Sequence, residues 1–275
     1  MIIDSHQHFW KYNAEKHAWI DNSMKAIRRD FLPSDLRPVL QANKIDGCIA
    51  VQADQSFEET EFLLACAEND NFIKGVVGWV DLLKTDVEEQ LTAFAQNNLF
   101  KGVRHIVQDE PDTYFMLRPD FQRGISLLSK FGLTYDILIY KHQLPAAIEL
   151  AHRFPNQTFI LDHMAKPQVS DGLENEWKSH IEQLGACQNV YCKLSGLVTE
   201  TKGYRWKKED FFPFLDTVMK AFGTDRVMFG SDWPVCLLAG SYKDVLSVIS
   251  NYIETLPSAD QKQIMGQNAA NIYKL

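Results

Sequence analysis

Hydrophobic residues along the chain fall into two alternating patterns. Short, nearly continuous apolar runs occur at Ile2–Ser5, Gly47–Gln52, Ile73–Val80, Gly102–Val107, Leu133–Ile139, Thr158–Leu161, Val190–Leu194 and Val227–Gly230. Most are rich in Val and Ile and apolar on both faces, as strands are when a parallel sheet is covered on both sides. Between them the apolar positions recur with the 3.6-residue period of helices. Glu58–Glu68 carries Phe62, Leu63 and Cys66 on one stripe, and Val87–Ala95 carries Val87, Leu91 and Phe94 or Ala95. Phe121–Phe131, Leu144–Phe154, Glu174–Leu184, Phe211–Phe222, Tyr242–Ile253 and Ser258–Ile272 behave likewise. Pro119 ahead of Phe121, and Ser258 at the head of the last segment, are the residue types that start helices.

Eight strand–helix units in 275 residues, closed by a C-terminal helix, are the arithmetic of an α/β fold of the (β/α)8 TIM-barrel kind. A doubly wound sheet would want a Gly-rich phosphate turn after its first strand, where this chain has His6-Gln7-His8-Phe9-Trp10. No Pro/Gly/Ser-rich linker divides the chain, so residues 1–275 are expected to form one barrel domain. The segment Phe9–Pro38 exceeds an ordinary strand–helix loop and holds Trp10, Tyr12, Trp19 and Phe31. It is expected to fold over the barrel mouth as a packed lid.

Composition narrows the partners. Hydrophobic residues make up 45% and charged residues 23%, which excludes disorder, collagen and low-complexity repeats. The net charge of −8 argues against nucleic acid or an acidic membrane, because phosphate binding needs a basic face. A small anionic ligand in a locally positive pocket remains allowed. Cys48, Cys66, Cys187, Cys192 and Cys236 are odd in number and show no C-x-x-C spacing, so a reducing cytoplasm is the simplest compartment. The N-terminal residues lack the basic start and apolar stretch of a secretory leader, and no stretch approaches the ~18 apolar residues of a membrane span.

Barrel enzymes carry their chemistry at the C-terminal ends of the strands. The first strand ends in Asp4-Ser5-His6-Gln7-His8, and His6 and His8, two apart, point the same way on an extended chain. That makes a metal corner, or two polar loop histidines. The sixth strand ends in Asp162-His163, a third imidazole for the same mouth, with Asp162 able to orient its ring, or a histidine hydrogen-bonded into the rim. The eighth ends in Ser231-Asp232-Trp233, and Asp232 is a metal ligand, a base, or the N-cap of the next helix. Each signal is modest alone; their joint placement at strands one, six and eight is harder to dismiss.

This set, His6-x-His8 with His163 and Asp232, resembles the amidohydrolase superfamily. More closely it resembles the amidohydrolase-related sugar-lactone hydrolases of the fuconolactonase and rhamnonolactonase type. The resemblance rests on Ile3-Asp4-Ser5-His6-Gln7-His8-Phe9-Trp10, Gly102-Val103-Arg104-His105, Leu117-Arg118-Pro119-Asp120-Phe121, Leu161-Asp162-His163-Met164-Ala165-Lys166-Pro167, Lys193-Leu194-Ser195-Gly196 and Phe229-Gly230-Ser231-Asp232-Trp233-Pro234-Val235-Cys236. It implies a distorted (β/α)8 barrel that opens a sugar lactone with water, Asp232 serving as base and His6, His8 and His163 serving the same centre. The binuclear members place a Lys or Glu at strand four and a His at strand five. Here those strands end in Arg104-His105 and run Tyr135-Asp136-Ile137-Leu138. At most one divalent ion is therefore expected, on His6, His8, His163 and Asp232. Zinc suits three imidazoles and a carboxylate, and some relatives are thought to work with no metal.

Other strand ends supply candidate substrate contacts: Gln52, Arg104 or the alternating His105, Tyr140, His142 and Trp233. Asp136 is either a pocket carboxylate or buried against Arg104, and Lys193 either faces the pocket or bridges to a neighbouring strand. The expected partner is a small-molecule sugar lactone; a homo-oligomer is compatible with the sequence. The nearest rival is a metal-dependent decarboxylase or hydratase of a carboxylated acid on the same barrel. A barrel phosphoesterase or DNase fits the charge and strand four poorly, and a non-catalytic binding barrel has no need of this four-residue set.

Overall fold

The computed structural model describes residues 1–275. Its strands are β1 (Ile3–Gln7), β2 (Gly47–Val51), β3 (Ile73–Gly78), β4 (Phe100–His105), β5 (Thr134–Ile137), β6 (Phe159–Leu161), β7 (Val190–Leu194) and β8 (Val227–Phe229). They pair in sequential order, every neighbouring pair parallel. Each expected apolar run carries one of them. The helices between are α1 (Pro33–Ala42), α2 (Phe57–Asn69), α3 (Val87–Phe94), α4 (Pro119–Leu128), α5 (Leu144–Arg153), α6 (Asn175–Ala186), α7 (Phe212–Phe222) and α8 (Tyr242–Tyr252). The result is a nearly closed (β/α)8 barrel. No helix is long and apolar enough to cross a membrane, and all five cysteines are free.

The seam between β8 and β1 is closed at its upper end by backbone and side chains together. Asp232 N donates to His6 O at 2.8 Å and His8 N donates to Trp233 O at 2.7 Å. Below them the buried Asp4 carboxylate accepts from Ser231 N (2.9 Å), Ser231 Oγ (2.6 Å) and Tyr242 Oη (3.0 Å). Strand β1 also slips in register against β2 between Asp4 and Gln7. Ile3 packs inside the barrel with Ile49, Val51 and Val77. Strict alternation from Ile3 would send residue 6 outward; the bulge re-aims His6 into the barrel, and His8 follows on the same face.

Two apolar layers result. Inside, Ile3, Ile49, Val51, Val77, Ile160 and Met228 fill the barrel, which Ala269 and Tyr273 plug from below. Outside, the larger cluster lies between the sheet and its helices. Two expectations need correcting. The last helical segment is not continuous: α9 (Ser258–Lys262) and α10 (Asn268–Ile272) flank a wide turn at Gln263–Gln267. There Gly266 lets the chain start pass so closely that a Cβ would lie 2.3 Å from Met1 O. The segment Phe9–Pro38 is not all loop, since α1 begins at Pro33 and buries Leu36 and Leu40. Pro38 inside that helix reads from sequence as a break. The rest of the segment does pack over the mouth: Trp10 bridges Phe31 and its Nε1 donates to Arg29 O at 2.8 Å.

Candidate active site

Beneath the mouth lies a buried ionic network. Asp162, just past β6, accepts from Arg104 Nη1 of β4 at 3.0 Å. Its other oxygen lies 3.0 Å from Lys193 Nζ of β7 and 3.3 Å from His6 Nδ1. Lys193 also pairs with Asp136 of β5, and Tyr273 Oη donates to Asp136 at 3.2 Å. Arg104 is further tied to Gln52 O by its Nη2. Two cations and two carboxylates are thus neutralised within a core that cannot solvate them. Burial pushes Asp136 up to about 6 against the pull of Lys193. Burial also works against ionised Asp162, but Lys193, His6 and Arg104 together hold it well below the usual carboxylate range.

After β6 the backbone makes a left-handed turn. His163, Met164, Ala165 and Lys166 have φ of 53°, 53°, 58° and 50°, four consecutive non-glycine residues in a region that L-residues seldom visit. Such strain persists only where the surroundings fix it. Here Met164 and Ala165 are fully buried, and Trp177 Nε1 donates to Met164 O at 2.9 Å. The turn swings His163 over the barrel axis, where its Nδ1 meets Ser195 Oγ at 2.9 Å. Gly196, at φ 72°, leaves room for the ring, since a Cβ there would sit 2.5 Å from His163 Nδ1.

Above the network, donors from β1, β6 and β8 converge. His8 Nε2 lies 3.2 Å from His6 Nε2 and 3.3 Å from Asp232 Oδ1. His6 Nε2 and His163 Nε2 lie 3.8 and 3.9 Å from the same oxygen. Burial lowers His6 well below its ordinary value and brings His163 down to about 4, so both imidazoles are neutral at pH 7. Burial would raise Asp232, but the imidazoles around it, His163 foremost, hold it well below the usual carboxylate range. His8 Nδ1 sits 2.8 Å from Val51 O, which can only accept, so in neutral His8 the lone pair is on Nε2. That lone pair faces a carboxylate, and positive charge at the centre is what relieves the repulsion. A tetrahedral zinc with ligands at about 2.0–2.1 Å would space its donors about 3.3 Å apart. His6, His8 and Asp232 come close enough together to hold one divalent ion, whereas His163 comes together with His6 and Asp162 instead. In the arrangement shown, Arg104 Nη1 also stands 3.3 Å from His6 Nε2.

A cavity of about 320 Å³ opens over this centre, with His8, Arg104, His163 and Asp232 among its walls. Tyr140 also lines it. Several expected contacts lie elsewhere. His105 points outward, as alternation with Arg104 allows, bonded to Glu110 at 2.7 Å and stacked on Phe115. His142 is exposed on the turn after Tyr140 and does not line the cavity. Trp233 packs edge-on against Phe9 and Phe31 under the lid. Gln52 is fully buried and holds Arg104 rather than facing the cavity. Asp136 is buried, but its partner is Lys193 rather than Arg104. Asp162 orients His6, whereas Ser195 bonds His163. Trp19 lines the cavity from the segment expected to cover the mouth, whereas Met24 from the same segment, Lys166, Glu200 and Leu238 were not foreseen. Only Lys166, in the stretch after β6, had a motif to find it by.

Residues 3–275 match the family model of the amidohydrolases. The chain belongs to the amidohydrolase family. It is 38% identical, over 99% of its length and 96% of the relative's, to an L-fucono-1,5-lactonase of Burkholderia multivorans. It is 34% identical to an L-fucono-1,5-lactonase of Burkholderia ambifaria, over 99% of this chain and 95% of the relative. A crystal structure of an amidohydrolase from Burkholderia multivorans with bound zinc superposes on it with a TM-score of 0.96 at 38% identity, covering 100% of this chain and 99% of that one.

The network beneath the site makes a measurable demand on this amidohydrolase. Asp162→Asn leaves Arg104 with no carboxylate partner and Lys193 with Asp136 alone. It is expected to lower the unfolding free energy by about 3 kcal/mol or more, the usual cost of breaking a buried pair. Urea denaturation at pH 7 reads this directly, and a midpoint equal to that of the wild type would show that Asp162 is not the hub.

Proposed function

We propose that the chain hydrolyses the lactone ring of a sugar acid, an aldonolactone of the L-fuconolactone kind. The observation that carries this is the meeting of an ionised Asp232 with His6, His8 and His163 on the floor of a cavity of modest charge. The names of the two Burkholderia relatives support the same substrate class. Among the cavity walls two cations, Arg104 and Lys166, face three carboxylates, Asp109, Glu200 and Asp232. Such a lining suits a neutral, hydroxyl-rich ligand.

The chemistry follows from the groups present. Water is oriented on Asp232, whose free lone pairs take its proton as the oxygen attacks the lactone carbonyl carbon. Asp232 is ionised throughout the physiological range and so always ready to accept. Charge then develops on the carbonyl oxygen. Arg104 is among the cavity walls, and its positive charge, fixed by Asp162 and Gln52, offsets the charge that develops there. As the tetrahedral intermediate collapses, the ring oxygen leaves and takes the proton held by Asp232. The products are an alcohol and a carboxylic acid, which ionises to release one proton. His6, His8, His163 and Asp232 would hold at most one divalent ion, best matched by zinc. When bound it would polarise the carbonyl and lower the pKa of water.

Asp232→Asn is expected to lower kcat on an aldonolactone by about 10³-fold or more, as loss of a base does, while the urea midpoint stays near that of the wild type. Near-normal turnover by this variant would remove Asp232 from the role of base. Elemental analysis of the purified protein is expected to find at most one divalent ion per chain, and less in His8→Ala. Two tightly held ions per chain would overturn the mononuclear centre.

A further inference from the structure

The cavity above the floor is divided by chemistry, and the division follows the barrel. On the flank over β8 and β1 its walls are apolar. Trp19 and Met24 come from the lid, and Val235 and Leu238 from the turn after β8. No polar side chain of those two turns, Asn22–Ile27 and Val235–Leu238, reaches the cavity. On the opposite flank, over β4 to β7, Ile106 and Leu138 are apolar, but hydrogen-bonding side chains predominate. Gln108 and Asp109 follow β4, Lys166 follows β6, and Thr199 and Glu200 follow β7. Lys166 is presented there by the left-handed turn.

A six-membered sugar lactone is divided in the same way. Its carbonyl carbon has two ring neighbours. One leads to C2 and C3, each bearing a hydroxyl; the other is the ring oxygen, which leads to C5 and its exocyclic C6. With the carbonyl fixed on the floor by Asp232 and Arg104, the two sides of the ring must fall on the two flanks. Hydroxyls on the β4–β7 flank find donors and acceptors. On the β8–β1 flank a hydroxyl would lose water and gain no partner, whereas a methyl group buries apolar area.

Resting on the sugar-lactone reading above, we infer that Met24 and Leu238, with Val235 and Trp19, form a subsite for the C6 methyl of a 6-deoxyaldonolactone, and so determine which hexonolactones the enzyme accepts. The test compares kcat/KM for L-fucono-1,5-lactone and L-galactono-1,5-lactone, which differ only by a hydroxyl on C6. The wild type is expected to favour the methyl compound by about 10- to 100-fold, the range an apolar pocket achieves against an added hydroxyl. In Met24→Gln and Leu238→Asn, each close in shape to the residue replaced, the ratio is expected to fall to within about threefold, through loss on the fuconolactone and retention or gain on the galactonolactone. The wild-type comparison needs no variant to fold. Equal turnover of the two lactones by the wild type, or equal loss on both in the variants, would overturn the subsite while leaving lactone hydrolysis in place. Turnover of neither would remove the sugar-lactone reading and this inference with it.

Discussion

Asp162 is the group on which the site depends. A carboxylate with no solvent exposure survives ionised only if cations surround it, and Arg104 and Lys193 reach it from β4 and β7. Those strands lie on either side of β5 and β6, so the pairing clamps a quarter of the barrel from within. Its cost is the desolvation of four charges, which replacement by apolar residues would avoid. What the network gives in return is position. His6 is held at Nδ1 by the same cluster, and Arg104, anchored on Asp162 and Gln52, cannot follow solvent. The floor of the cavity is therefore set before any ligand arrives, which is what electrostatic stabilisation of a developing charge requires.

The second constraint is the seam. Residues 6 and 232 are far apart in the chain and become neighbours only because β8 closes on β1. Asp4 holds that closure from the helix side, while the bulge turns His6 inward, so the strand that seals the barrel is also the one that delivers two imidazoles. Asp232 takes its place through its own backbone, with φ of 57° and its N–H on His6 O. Changes at Asp4, Ser231 or Tyr242 therefore act on the site through its geometry.

Much of this was legible in the sequence, for identifiable reasons. Doubly buried strands write themselves as Val/Ile runs, and the rule that barrel chemistry sits at strand ends was enough to bring His6, His8, His163 and Asp232 together. Alternation also limited Arg104 and His105 to one inward residue, and the structure chose Arg104. The failures have physical causes as well. Helix α1 was hidden by Pro38. The left-handed turn after β6 contains no glycine to announce its positive φ, so Lys166 lay in a recognisable stretch with nothing to show that it faces the cavity. Gln52, His142 and Trp233 sit near strand ends, yet a loop bends on scales that strand periodicity does not encode. Met24, Glu200 and Leu238 come from such loops, and only tertiary contact shows that they face the same space.

The surface charge of −8 belongs to the outside of the barrel, whereas the choice of substrate is made in the cavity. Proton release and carbon dioxide should be followed together while the purified enzyme is offered a panel of neutral aldonolactones and, separately, carboxylated aromatic and hydroxy acids. Hydrolysis at a site of this kind predicts one proton per turnover of an aldonolactone and no carbon dioxide from any compound. Carbon dioxide from a carboxylated acid, with every aldonolactone left intact, would mean that the same four side chains serve a different reaction.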